Sequence, residues 1–491
     1  MAKKDITDMR GTIEFLRQVG ELITVSEEAD SSLEIPTIQM VLDQGPAFLF
    51  EKVKGFPGAK DLCNVFARRD RIAKIFDVDD PKKLKLKCLE AVKKPIPPVE
   101  VDNAPSQEVV ITGDKIDVPG TFPVGKQTEK DGAPVFGSGQ VLVSGKYYRN
   151  AHDIAFKRMN FRGKDWASIT ASPGSHLESV LFTDFRKEDV PVTLNICTSP
   201  AVTVIAASGA VPAVMPIYTD ELAIAGALEG SPIEICKAKT VDAYSLAKAE
   251  YVIEGLITTD KVWETDEAEE LQKQNVAPFF PEWTGYLGRA WRSRKFQATA
   301  ITHRKDPIFY NHLGATCDGA FAGLDFREAY FYEMAQRLAP GFVIDVHIPS
   351  ALKLLGGVIF QVKKNRARDE GVQRLIIMHA LSAQPGLMMA IAIDEDVSID
   401  SMDDVMWAIM SRAKPPADFI TGLAGSRAQG GGFGGGIAID ATVPFDQKEG
   451  AQRFHYPVEN IDLTRWFTQQ QIDAIKAGQR EYAQLLAKKG G

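Results

Sequence analysis

Three stretches of the chain concentrate side chains that can do chemistry. Arg149–His176 carries Asp153, Arg158 and His176, and Tyr218–Gly230 carries Glu221. Two carboxylates and an imidazole form a donor set suited to a divalent cation. Asp153, His176 and Glu221 are far apart in sequence, so a shared ion and three separate hydrogen-bonded surface roles both stay open. The third stretch is Ala277–Tyr286, where Glu282 sits among apolar and aromatic neighbours. Apolar surroundings push a carboxyl up, which suits a general acid near neutral pH. A solvent-pointing Glu on the turn after Pro281 is the other reading. The glycine-rich run Ala428–Gly436 lacks a following Lys-Ser/Thr and does not stand between a strand and a helix. It is no phosphate-binding fingerprint, and a loop or an active-site lid remain open.

The elements that must position these residues follow from periodicity. Met9, Ile13, Leu16 and Val19 recur at helical spacing and Gly20 stops the helix. Leu22–Val25, Ala47–Phe50 and Leu62–Phe66 read as strands, and Pro95–Pro98 as a linker, since consecutive prolines continue neither helix nor central strand. Short β-type runs follow at Val109–Ile111, Gly139–Val143, Val192–Ile196, Thr203–Ala206 and Pro232–Cys236. Leu246, Ala249 and Ile253 then predict a helix over Ser245–Glu254. Strands Val343–Ile348, Gly357–Val362 and Met389–Ile393 alternate with helices Phe326–Leu338, Asp369–Leu381, Met402–Ala413 and Thr468–Lys488, a βαβ pattern.

Bulk properties bound the function. A chain of 491 residues suggests roughly three domains. The 57 basic and 65 acidic residues give a net charge of −8, which argues against a nucleic-acid partner. Five scattered cysteines without a CxxC pair suggest reduced thiols and a cytoplasmic setting. The longest apolar run, Ala201–Tyr218, is broken by Ser208, Gly209, Pro212 and Pro216, so it reads as buried strands and not as a membrane span.

Taken in order, these segments resemble the UbiD family of decarboxylases over most of the chain. The family's Asn-x4-Arg, followed by Met-Gln and a Gly-Lys-Asp-like turn, is matched by Asp153-Ile-Ala-Phe-Lys-Arg158 and Met159-Asn-Phe-Arg-Gly163-Lys-Asp165. A register on Asn150 would put Ala155 where the arginine belongs. His176 in Pro173-Gly-Ser-His176 and Glu221 in Glu221-Leu-Ala-Ile-Ala225-Gly226 match the other two metal ligands. The family's Glu-Gly-Pro-Phe-Gly-Glu-x-Thr-Gly-Tyr corresponds to Ala277-Pro-Phe-Phe-Pro-Glu282-Trp-Thr284-Gly285-Tyr286. The first glutamate, usually the arginine's partner, is thus Ala277, and the lysine that usually contacts the flavin is Met388. Ile439-Asp-Ala-Thr442 resembles a C-terminal family element, with Ala438 in its glycine position.

The resemblance implies a multidomain α/β and α+β fold. Residues 1–104 would form a small α/β domain, 105–300 a split β-barrel resembling a flavin reductase, and 301–491 an α/β domain. It implies prenylated FMN, a Mn2+ or Mg2+ ion and, near it, a K+ ion. Asp153, His176 and Glu221 would hold the metal. Ser138, Ala155, Phe156, Arg158, Ser175 and His176 would contact the flavin. Arg158 and Glu282 would be catalytic in reversible decarboxylation of an aromatic or other unsaturated acid, releasing or taking up CO2. If the substrate is phenolic, His312 could polarise the hydroxyl; otherwise it is a loop residue. A flavin prenyltransferase would supply the cofactor, and the assembly would be a homodimer or homohexamer. The changes at Ala277 and Met388 leave a second class open, a partner-dependent subunit of a phenol or phenylphosphate carboxylase. A flavin reductase is a third, weakened by the absence of a nicotinamide fingerprint.

Overall fold

A computed structural model describes residues 4–172, 174–209, 211–352, 356–384, 386–423, 436–454 and 461–478. Contacts divide the chain into one body ending at Thr442 and a second from Val443. The candidate residues all lie in the first.

A curled antiparallel sheet forms its centre. Its strands run in the order Ala151–Phe156, Gln140–Gly145, Val190–Ile196, Tyr251–Trp263, Arg292–His303, Trp166–Ile169, Met159–Phe161, and Val109–Thr112 also pairs with Arg292–His303. The two ends of this path are neighbours in the chain, since Phe156 ends one edge strand and Met159 opens the other. Three residue steps reach at most roughly 11 Å. The sheet must therefore curl until its edges face each other, with Lys157 and Arg158 as the link. Among the described residues no ladder joins the two edges, so the expected barrel is not closed.

Two local expectations were overturned by tertiary context. Thr203–Ala206 lies in a helix, Pro200–Ser208, with proline at its first turn. Its β-branched residues mimic a strand, but the helix is buried at almost every position, which removes the helical period from the sequence. The helix expected over Ser245–Glu254 is instead strand Tyr244–Leu246 and the start of Tyr251–Trp263. Strands Val190–Ile196 and Arg292–His303 pair on either side of the latter, and this two-sided ladder outweighs local spacing.

The N-terminal helix Met9–Gln18 is capped by the Asp8 carboxylate, which accepts from Gly11 N–H, and buries Met9, Ile13 and Leu16. The adjoining sheet runs Leu22–Ala29, Ala47–Val53, Lys60–Cys63, Ile308–Tyr310. Its last strand comes from beyond residue 300 and carries the chain on to Asn311 and His312. The Pro95–Pro98 linker docks on helix Glu221–Glu229, where Ile96 N–H donates to Ala223 O at 2.9 Å. A Cβ at Gly226 would stand 2.6 Å from the Ile96 carbonyl oxygen, so only glycine admits this approach.

Farther on, strands Gly357–Val362, Met389–Asp394 and Gly436–Ala441 pair in parallel, flanked by antiparallel Val343–His347 and Phe419–Leu423. Helices Leu324–Leu338, Val372–Ala383 and Met402–Arg412 match the expected pattern. Of the expected C-terminal helix, 469–478 is helical. The glycine-rich run lies outside the described residues except for Gly436, which opens a strand. All five cysteines are buried and free, and no described helix is long and apolar enough to cross a membrane.

Candidate active site

Asp153, His176 and Glu221, separated by up to 68 positions, converge: their ligating atoms all lie within 4.8 Å of one another. Asp153 stands on strand Ala151–Phe156. Glu221 opens helix Glu221–Glu229, whose N-cap Asp220 accepts from Ala223 N–H. His176 opens a short helical turn capped by the Ser175 hydroxyl, which accepts from Glu178 N–H. His176 Nδ1 is 2.9 Å from Asp153 Oδ1 and 3.3 Å from Glu221 Oε1. Glu221 Oε2 accepts from Ile154 N–H at 2.8 Å, and the Tyr148 hydroxyl lies 3.0 Å from His176 Nδ1. His152 Nδ1, 3.1 Å from both Asp220 carboxylate oxygens, steadies the helix start from behind.

Burial alone would lower the His176 imidazole, but its hydrogen bonds to Asp153 and Glu221 prevail and push it up to about 10. Burial and the Asp153 charge push Glu221 up to about 7. Burial and the same two carboxylates raise the Tyr148 phenol. Two carboxylates this close need a cation between them. Here a proton on His176 meets that need, and a divalent ion with imidazole and carboxylate ligands meets it better. Asn150, the rival in the other register, sits exposed in a turn at φ 63°, whereas Asp153 is buried.

Arg158 occupies the seam of the sheet. Its Nε and Nη2 donate to Glu264 at 3.2 and 3.1 Å, and its Nη1 donates to Glu282 at 3.0 Å. Its guanidinium carbon lies 5.2 and 5.1 Å from the ring centres of Phe279 and Phe280. Glu264 is almost fully buried and accepts two further donors, Trp291 N–H at 2.7 Å and the Thr170 hydroxyl. Glu282 follows strand Pro278–Pro281 in a turn whose N–H bonds Tyr286 O. A Cβ at Gly288 would stand 2.8 Å from Glu282 Cγ, so glycine there makes room for this side chain. Burial raises Glu282, Arg158 opposes the rise and Glu264 adds to it.

Glu264 is the partner that sequence reading missed. Ala277, the position of the absent glutamate, is buried with Trp263, Ala268, Phe279 and Ala290, an apolar setting hostile to a carboxylate. The only trace of Glu264 in the sequence is an acidic residue closing an apolar strand end, Val262-Trp263-Glu264.

The other expected flavin contacts spread around the same strand. Ala155 and Phe156 lie on it, and the Phe156 ring stacks on His312 with centroids 4.0 Å apart. Ser138 is buried and its hydroxyl has no partner among the described residues; the same holds for His312 Nδ1. Both line one cavity with Gln127 and Asn311. Burial pushes His312 down to about 4. Met388, at the position of the absent lysine, packs with its methyl close to Gly356, beside the Trp283 ring.

Three family models match in order: the 3-octaprenyl-4-hydroxybenzoate carboxy-lyase N-terminal domain over residues 13–86, its Rift-related domain over 98–316 and its C-terminal domain over 323–441. A gallate decarboxylase of Lactiplantibacillus plantarum is 30% identical over 448 residues, covering 86% of this chain and 88% of that one. The apo 3,4-dihydroxybenzoic acid decarboxylase of Enterobacter cloacae is 28% identical with a TM-score of 0.82, covering 94% of this chain and 99% of that one. The UbiD-class enzyme HmfF of Pelotomaculum thermopropionicum, in complex with FMN, is 25% identical with a TM-score of 0.81 over 94% and 100% of the two chains.

Proposed function

The chain belongs to the UbiD family, and from that premise we propose that it decarboxylates a hydroxylated aromatic acid, using a prenylated flavin mononucleotide and a divalent metal. One observation carries the reading. Six residues of a single strand and its exit, Asp153 to Arg158, present a metal ligand at one end and, at the other, a guanidinium clasped by the buried Glu264 and the half-buried Glu282 carboxyls.

The residues present fit the implied groups. Asp153, His176 and Glu221 would hold a Mn2+ or Mg2+ ion against the flavin phosphate, and Ser138, with its orphaned hydroxyl, would donate to the flavin. Bound there, the flavin supplies the electron sink that an sp2 carbon needs when CO2 departs. Arg158 has five N–H groups; its bonds to Glu264, to Glu282 and, at 3.4 Å from Nη2, to Arg289 O engage four, and the remaining one, on Nη1, has no partner among the described residues and suits the substrate carboxylate. When the bond between ring carbon and carboxyl carbon breaks, its electron pair stays with the ring carbon. Glu282, whose carboxyl burial raises against the opposing pull of Arg158, delivers the replacing proton to that carbon and is reprotonated from water. Burial holds His312 neutral, and its unpartnered Nδ1 can donate or accept according to tautomer, which suits a phenolic hydroxyl. The gallate and 3,4-dihydroxybenzoic acid decarboxylases among its relatives make such acids the first substrates to try.

The alternative of a partner-dependent subunit drew on the changes at Ala277 and Met388. Glu264 supplies the arginine with a carboxylate, which removes the first of these two grounds. The test is to co-produce the chain with a flavin prenyltransferase. Bound cofactor is then identified by absorbance and mass, and CO2 release measured from gallate and 3,4-dihydroxybenzoate. Turnover with bound prenylated flavin supports the proposal. A protein that binds no flavin in the presence of Mn2+ refutes it.

A further inference from the structure

Lys157 has no role in the chemistry so far, yet it stands between Asp153 and Arg158 on the link between the two edge strands of the curled sheet. Its backbone N–H donates to Gly139 O at 3.1 Å, so the ladder of strand Ala151–Phe156 continues one residue further. Alternate residues of a strand share a face, which puts Lys157 on the face of Asp153 and Ala155. Its side chain is half-buried; burial lowers the ammonium, and the charges of Asp153 and Glu221 oppose that lowering. It touches neither: no hydrogen bond or ion pair to the ammonium is found among the described residues. Withdrawing an ammonium from water without a partner is costly. An unpartnered cation on the same strand face as a metal-ligand cluster gives an anion reason to bind between them.

Charge bookkeeping says which anion. With Asn at position 153, as in the family motif, a divalent ion and one carboxylate leave the cluster at +1. Asp153 and Glu221 together cancel the ion, and the cluster loses its net attraction for a phosphate monoester of charge about −1.5 to −2. Lys157, four residues on along the same face, restores the lost unit. The lysine expected at Met388 cannot do so, because that position holds a thioether packed beside Trp283 and Gly356.

We infer that Lys157 is a phosphate-monoester-binding residue, supplying the cation that holds the flavin's terminal phosphate beside the metal cluster and compensating both Asp153 and Met388. The inference rests on the proposed flavin dependence. Its test is the binding of FMN and of riboflavin, which lacks the phosphate, to the Mn2+-loaded apoprotein, followed by quenching of flavin fluorescence. Lys157→Met is expected to weaken FMN about tenfold or more while leaving riboflavin within about twofold. Lys157→Arg should retain FMN binding. Asp153→Asn should tighten FMN binding and, combined with Lys157→Met, return it near the wild-type value, which keeps the test alive if the single Lys157 variant fails to fold. Unchanged FMN affinity in Lys157→Met, or equal loss of FMN and riboflavin, overturns the inference alone. A wild-type protein that binds no FMN overturns the flavin reading itself.

Discussion

Replacing Glu264 by Gln tests whether it stands in for the carboxylate absent at Ala277. Glu264 accepts four donors, two on each oxygen: Arg158 Nε and the Thr170 hydroxyl, then Arg158 Nη2 and Trp291 N–H. An amide in either orientation turns one oxygen into a donor and strands two of the four. Each stranded buried donor costs about 1–3 kcal/mol, and breaking a buried ion pair costs about 3–5 kcal/mol. Arg158 is 17% exposed in its side chain and keeps Glu282, so the lower figure, about 3 kcal/mol, applies. If that loss falls on the arginine's alignment, kcat drops roughly 10²-fold, at about 1.36 kcal/mol per decade. The pH profile adds a readout that a merely structural role would not move. Glu282 is active when protonated, so activity is lost as pH rises through its raised pKa. Neutralising Glu264 removes one of the charges that raise it, so the alkaline limb moves to lower pH. Steady-state decarboxylation across pH, with thermal melts by circular dichroism to confirm folding, measures both effects. A folded Glu264→Gln enzyme with kcat within about threefold of wild type and its alkaline limb in place would refute the reasoning.

Four further outcomes follow from the same geometry. Glu282→Gln should abolish turnover while flavin content, read by absorbance after gel filtration, stays at the wild-type level. Asp153→Ala and Glu221→Ala should lose bound metal, measured by elemental analysis; unchanged content in both would defeat the ligand assignment. Because an ion must displace the proton that His176 holds up to about 10, metal affinity should rise with pH below that value and binding should release protons. Calorimetry in buffers of different ionisation enthalpy reads that release, and buffer-independent heats would contradict it. Ala277→Glu places a carboxylate among Trp263, Ala268 and Phe279, so it should lower the melting temperature and fail to rescue Glu264→Gln; recovery of activity in the double variant would show that the two positions are interchangeable.

The sequence alone determined the chemical inventory. The types and order of Asp153, Arg158, His176, Glu221 and Glu282 are linear information, as is the period of well-exposed helices such as Met9–Gln18, whose polar and apolar sides contrast. Tertiary structure decided the rest. Helix Pro200–Ser208 and strand Tyr251–Trp263 are largely buried where they were misread, and burial on all sides erases the periodicity that distinguishes them. Glu264 reaches Arg158 across 106 positions. Lys157 acquires meaning only because the sheet curls until its two edges face each other. Such contacts depend on how distant strands pair, and strand pairing is settled by the whole ladder and by what covers it, so no short stretch of sequence records it.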